Sequence, residues 1–219
     1  MLQAVEDHNE YVKRAAPRLQ DRGLLCAGVP CSLFVSISHS VHGRYDWRLY
    51  GNERHFSVRV ANAIARNTAV LVRLLLKWRP TVYVVLENPL STWLYKLPCF
   101  KELLKEASFF FVLTYMGLWG MDILKGTRLA SNLPTLASLE RRATKKVKAK
   151  FQARVARKKA RAARAGKSEK CFYTTGQNEN GQRIFTGGPD LAATAEYPQR
   201  FCTALYTAWA RALEVKPFV

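Results

Sequence analysis

Three short runs in this chain are continuously apolar: Leu24-Leu25-Cys26-Ala27, Val82-Tyr83-Val84-Val85-Leu86 and Phe109-Phe110-Phe111-Val112-Leu113. Between the first two, Val60, Ile64, Leu71, Leu74, Leu75 and Trp78 recur at helical spacing from about residue 54, and Arg79-Pro80 closes that helix. A second helix is expected over roughly 98–106. Continuous β-branched and aromatic runs separated by helices point to a mostly parallel sheet covered on both faces, with strands at about 24–28, 81–87 and 109–113. This constrains the chain to an α/β class.

The pattern changes along the chain. Residues 2 to about 20 resemble a charged helix with loosely spaced apolar positions, and Val35 to Glu53 is a polar loop long enough to suggest a functional role. Residues 1–135 are expected to form the α/β core and 136–170 a long basic helix with few apolar anchors, Val147, Phe151 and Val155. In 171–219, Asn180-Gly181 between two strand-like runs signals a small β-hairpin, and Phe201, Leu205, Trp209 and Leu213 signal a terminal helix that packs on the core.

The chain has 219 residues and a net charge of +19, and Arg141 to Lys170 holds 14 Lys or Arg against one acid, Glu169. Such density would release many counterions on a phosphate backbone and bind it with little regard to sequence. A solvated charge run or a nuclear-import signal is the simpler reading. Lys145, Lys146, Lys158 and Lys159 are the candidate contacts in this segment. The five cysteines are odd in number and form no Cys-x-x-Cys pair, so neither a disulfide framework nor a zinc site is indicated. No signal peptide or apolar stretch of about 18 to 20 residues is apparent, which suggests an intracellular protein, nuclear if eukaryotic, with no membrane partner.

In open parallel sheets, ligands bind beyond the carboxyl ends of the strands. At two such ends stand Gly28-Val29-Pro30-Cys31-Ser32 and Glu87-Asn88-Pro89. They place a thiol and a carboxyl on one rim, as covalent attack on a pyrimidine requires. With Gly117-Leu118-Trp119-Gly120 and Lys125-Gly126-Thr127-Arg128, these strings resemble the central part of DNA cytosine-5 methyltransferases, over roughly residues 20 to 135. The resemblance implies a partial Rossmann-like sheet with S-adenosylmethionine as cofactor. It also implies nucleic acid as partner, DNA ahead of RNA.

On this resemblance Cys31 is the nucleophile that adds to C6 of cytosine, and Glu87 is the acid that places a proton on N3. C5 then becomes reactive enough to take a methyl group. The thiol would need a nearby cation, Arg44 or Arg128. Arg44, Lys125, Thr127 and Arg128 are the candidates for gripping the target strand once the base has left the stack. The plain alternatives are that Cys31 is a small buried hydrophobe and that Glu87 caps a turn or pairs with an arginine. His39 and His42 also invite a Cys-His protease reading with Cys31, but no Asn or Asp partner is signalled.

The resemblance is partial. Only about 22 residues precede the first strand, whereas a strand-crossover-strand unit takes about 30, so the cofactor-binding half is expected to be absent from the amino terminus. Another chain could supply it. Phe185-Thr186-Gly187-Gly188-Pro189-Asp190 superficially resembles a Gly-rich loop displaced by circular permutation, but the hairpin signal before it and the lack of a following second strand speak against that. Val29-Pro30 replaces the family's double proline, and no Gln-x-Arg-x-Arg motif follows the third strand. Three classes therefore stand open: an incomplete methyltransferase, an inactive nucleic-acid binder that uses the basic helix, and a polyanion-binding scaffold.

Overall fold

The structure, a computed structural model, describes residues 20–35, 42–164, 173–177, 183–187 and 196–214. A four-stranded sheet organises the chain: β1 (Leu24–Gly28), β2 (Tyr83–Pro89), β3 (Phe110–Tyr115) and β4 (Gly126–Ser131), in the order β1-β2-β4-β3. β1 and β2 pair in parallel through the helical crossover α1 (Phe56–Trp78), with Gly28 opposite Glu87. β4 runs antiparallel to both β2 and β3.

The sheet is therefore mixed, which corrects the expected mostly parallel arrangement. The fourth strand reads as a loop from sequence because Thr127, Arg128 and Ser131 interrupt it. In the sheet their polar groups are accommodated by neighbours: the Ser131 hydroxyl donates to the Val84 carbonyl at 2.6 Å and accepts the Leu133 N–H at 2.9 Å.

Helices cover both faces. On one face α1 and α2 (Pro98–Glu106) pack over Val84, Leu86 and Ala130. α1 turns an alanine-rich seam to the sheet, with Val58, Ala61, Ala65, Ala69, Val72 and Leu75 buried. The larger Val60, Ile64 and Trp78, which reveal the helix in the sequence, remain partly exposed. Small residues allow the closer approach. On the other face, the 3-10 segment Pro134–Leu139 and the terminal helix pack over Val85, Val112 and Leu129.

The basic segment is a helix, α3 (Lys145–Arg164). Its Phe151 ring packs against Gly117, where a Cβ would stand only 2.7 Å from the ring edge. Arg154 pairs with Asp122 at 2.5 Å, so the amino-terminal half of α3 docks on the loop between β3 and β4. β5 (Tyr173–Gln177) and β6 (Arg183–Gly187) form an antiparallel pair, and α4 (Gln199–Glu214) is the terminal helix. The Asn180-Gly181 turn and the charged amino-terminal segment lie outside the described residues. Among the described residues, no helix is long and apolar enough to cross a membrane.

Candidate functional site

The antiparallel course of β4 assembles the site. Because β4 opposes β2, its first residues lie at the carboxyl end of β2, with Asn88 opposite Arg128 and Pro89 opposite Thr127. Lys125 immediately precedes the strand. A parallel strand would have carried this basic run to the far end of the sheet. The loop after β1, the end of β2 and the start of β4 thus share one rim.

Glu87 and Asn88 lie inside β2 rather than beyond it, and strand alternation sends their side chains to opposite faces. The Asn88 amide, fully buried, donates to the Val29 carbonyl at 2.8 Å and so ties the Pro30-Cys31 turn to β2. Glu87 points to the α4 face. Its Oε2 accepts the Tyr197 hydroxyl at 2.8 Å, and its Oε1 faces the Lys125 ammonium at 3.4 Å. Both charged side chains are mostly buried, at 12% and 19% exposure, so their attraction is less screened than that of a surface pair.

Cys31 is half-buried, and its carbonyl accepts the Phe34 N–H at 2.8 Å. Burial pushes its thiol above the ordinary range; Lys125 pulls it down and the charge of Glu87 pushes it up. Desolvation prevails over Lys125. The cation whose charge acts on the thiol is Lys125, whereas the sequence suggests Arg44 or Arg128. Tyr197 is also pushed up, first by burial and then by the charge and hydrogen bond of Glu87.

Thr127 is fully buried and its hydroxyl has no hydrogen-bond partner. The same is true of the buried Arg128 Nε and Asn88 Oδ1. The Arg128 guanidinium lies 5.2 Å from the centre of the Phe111 ring. A cavity of about 400 Å³ opens between the sheet and α4, lined by Cys26, Gly28, Val85, Glu87, Tyr197 and Cys202, among others. Its size is within the range of small-molecule pockets, about 300–1,000 Å³. Burial and the neighbouring Cys202 push Cys26 up to about 11.

Arg44 is displaced from the expected set. It is fully buried, and its guanidinium donates to the Leu33 carbonyl at 2.8 Å, the Leu49 carbonyl at 2.6 Å and Asn62 Oδ1 at 2.8 Å. Desolvation lowers it to about 10. It fastens the loop after Cys31 to α1 and presents nothing to a phosphate. His42 is also buried: its Nδ1 accepts the Arg44 N–H at 3.0 Å and its Nε2 lies 3.0 Å from the Val35 carbonyl. Both ring nitrogens are committed to the loop, which removes His42 as a base for Cys31, and His39 lies outside the described residues.

Of the basic-helix candidates, Lys145 and Lys146 are exposed on α3, and the Lys158 and Lys159 side chains lie outside the described set. Sequence reasoning missed Tyr197; its only signal is the Tyr197-Pro198 start of a helix. Among the described residues, no three His, Cys, Asp or Glu side chains gather as metal ligands.

Among the described residues, the glycine at the end of β1 does not form a Gly-rich cradle of the kind expected for S-adenosylmethionine. Gly28, the glycine at a strand end, has the Tyr197 hydroxyl 3.3 Å and Glu87 Oε2 3.7 Å from where a Cβ would stand, so it faces the carboxylate and not an open cradle. Gly187 is the last residue of β6, which pairs antiparallel with β5, and Gly188-Pro189-Asp190 lies outside the described residues. In comparisons with family models, curated proteins and solved structures, nothing matched the chain.

Proposed function

We propose that this chain is a nucleic-acid-binding domain that receives an unstacked cytosine at the rim of β1, β2 and β4, as a partial relative of DNA cytosine-5 methyltransferases. Methyl transfer would in addition need a part that binds the methyl donor. The observation that carries this reading is the meeting of Cys31, Glu87 and Lys125 at one rim. A thiol, a carboxyl and a cation that lowers the thiol's pKa are the groups that addition to C6 requires.

These residues suffice for one reaction of their own. The Cys31 thiolate adds to C6 while the Glu87 carboxyl gives a proton to N3, and C5 gains enamine character. C5 takes a deuteron from heavy water and then loses its original proton. The double bond re-forms, the thiolate leaves, and N3 returns its proton to Glu87. The net change is exchange of the C5 hydrogen, with no methyl donor.

The test is mass spectrometry of a cytosine-containing oligonucleotide incubated with the protein in heavy water. Exchange should occur, vanish in Cys31→Ala and fall in Glu87→Gln. Exchange no faster than with Cys31→Ala would overturn the catalytic reading. The elevated thiol pKa and the engagement of Glu87 by Tyr197 favour a second reading, a binder without catalysis that uses α3. Salt-steep binding without exchange would select it.

A further inference from the structure

Residues 42–59 present aromatic rings to solvent on an unusually well-fastened loop. The backbones of Tyr45 and Arg48 exchange hydrogen bonds of 3.3 and 2.9 Å, closing a tight turn with Asp46 and Trp47 at its tip. Behind the turn, buried Arg44 and His42 join it to the Cys31 loop and to α1. The Asn52 N–H donates to the His42 carbonyl at 2.7 Å. Gly51 has φ +70°, and a Cβ there would stand 2.1 Å from the same carbonyl, so only glycine fits. Arg48 Nε donates to the Gly51 carbonyl at 3.0 Å.

This framework holds Trp47 78% exposed, with its ring stacked on Tyr45 at 5.0 Å between centres and 4° between planes. Phe56, the first residue of α1, is 72% exposed, and the Arg59 guanidinium lies 5.7 Å from its ring centre. Trp47, Arg48, Tyr50, Arg54 and Arg59 line a shallow cavity of about 620 Å³. Of the two nearby acids, Asp46 pairs with Lys96 at 2.7 Å, and Glu53, which also lines the cavity, accepts the Asn62 amide at 2.8 Å and faces Arg66 at 3.7 Å, which offsets its charge.

We propose that Trp47, backed by Tyr45, is a stacking platform for unpaired bases of a single-stranded nucleic acid, with Arg48, Arg54 and Arg59, the last of these against Phe56, on its phosphates. Stacking on an exposed ring within a cationic surface is how single strands are held without regard to sequence. The rings are preorganised, so little ordering entropy opposes binding. Three arginines around two aromatics complement a polyanion with flat faces better than an apolar protein helix. Because α1 runs back along the sheet from the end of β1, its first residue lies at the same rim as Cys31. The platform and the docked half of α3 therefore flank the candidate site. This inference does not depend on the thiol, the carboxyl or α3.

The experiment compares oligothymidylate with an abasic deoxyribose-phosphate oligomer of equal length, read by fluorescence anisotropy. Trp47→Ala, whose fold is checked by circular dichroism, should weaken oligothymidylate binding about tenfold, equivalent to about 1.4 kcal/mol. It should leave the abasic oligomer unchanged. A combined Arg54→Gln and Arg59→Gln variant should weaken both. Equal affinities of Trp47→Ala and the unaltered chain for oligothymidylate would overturn the proposal, as would an equal loss on the abasic oligomer. Trp47-dependent self-association without a base-dependent loss would also overturn it and assign the surface to a second copy. The Trp47 effect should persist in Cys31→Ala and in an α3 glutamine variant, which separates its failure from that of the proposed function.

Discussion

The charge on α3 makes a quantitative prediction. Lys146, Lys150, Arg157 and Arg161 are all exposed and fall within one stripe of the helix, away from Val147, Phe151 and Val155. At 1.5 Å per residue the stripe is about 22 Å long, and it would run past about six phosphates of one DNA strand spaced 3.4 Å apart. Each phosphate neutralised contributes about −0.9 to the slope of log affinity against log salt, so four contacts contribute about −3.6. Between 50 and 200 mM salt this steepens the loss of affinity about 150-fold. Replacing the four residues with glutamine preserves helix propensity and leaves the docking side chains intact. The assay is duplex binding across a salt series for both forms, with two unrelated sequences. The variant slope should be shallower by about 3.6 and equal for both sequences. A change of less than about one phosphate equivalent would refute α3 as the main polyanion site.

Two further outcomes follow from the geometry. Arg44→Ala strands three acceptors inside the protein and should cost about 3 kcal/mol or more, lowering Tm by roughly 6–12 °C in thermal circular dichroism. Exposed Arg54→Ala should cost less than about 0.5 kcal/mol, and equal losses would refute the anchoring role. The Cys31 thiol should alkylate with a pH midpoint above that of ordinary cysteine, because burial disfavours its charged form. Lys125→Met removes the lowering charge and should raise that midpoint further, whereas Glu87→Gln removes the raising one and should lower it. Mass-spectrometric rate profiles of the Cys31 peptide check this, and a midpoint at or below that of free cysteine would refute it.

The strands and helices that are strongly periodic or continuously apolar were legible in the sequence. Leu24–Gly28, the α1 and α2 helices and the strand ending near Glu87 stand close to where their patterns place them. The burial of α1 was less legible, because hydrophobicity alone favours Val60 and Ile64 over the alanines that reach the sheet. Arg44 shows a different limit. A loop arginine reads as a surface cation until its three acceptors, each supplied by a separate part of the fold, are seen around it.

The site depended most on what the sequence left unclear. Cys31 and Glu87 could be placed on one rim from their strand ends, but neither string reveals which cation attends the thiol. That is decided by β4, a strand whose glycine, hydroxyl and arginine positions resemble a loop when no neighbour is known. Once paired on both sides, its backbone bonds are satisfied by β2 and β3, so it does not need a continuous apolar run to remain in the sheet. Its reversed direction then fixes Lys125 at the carboxyl end of β2, 3.4 Å from Glu87. The departure from a parallel sheet is thus also what brings the basic run to the thiol and carboxyl. A break in β4 pairing would take Lys125 from the other two, which the β1–β2 pairing and the Asn88–Val29 hydrogen bond keep together.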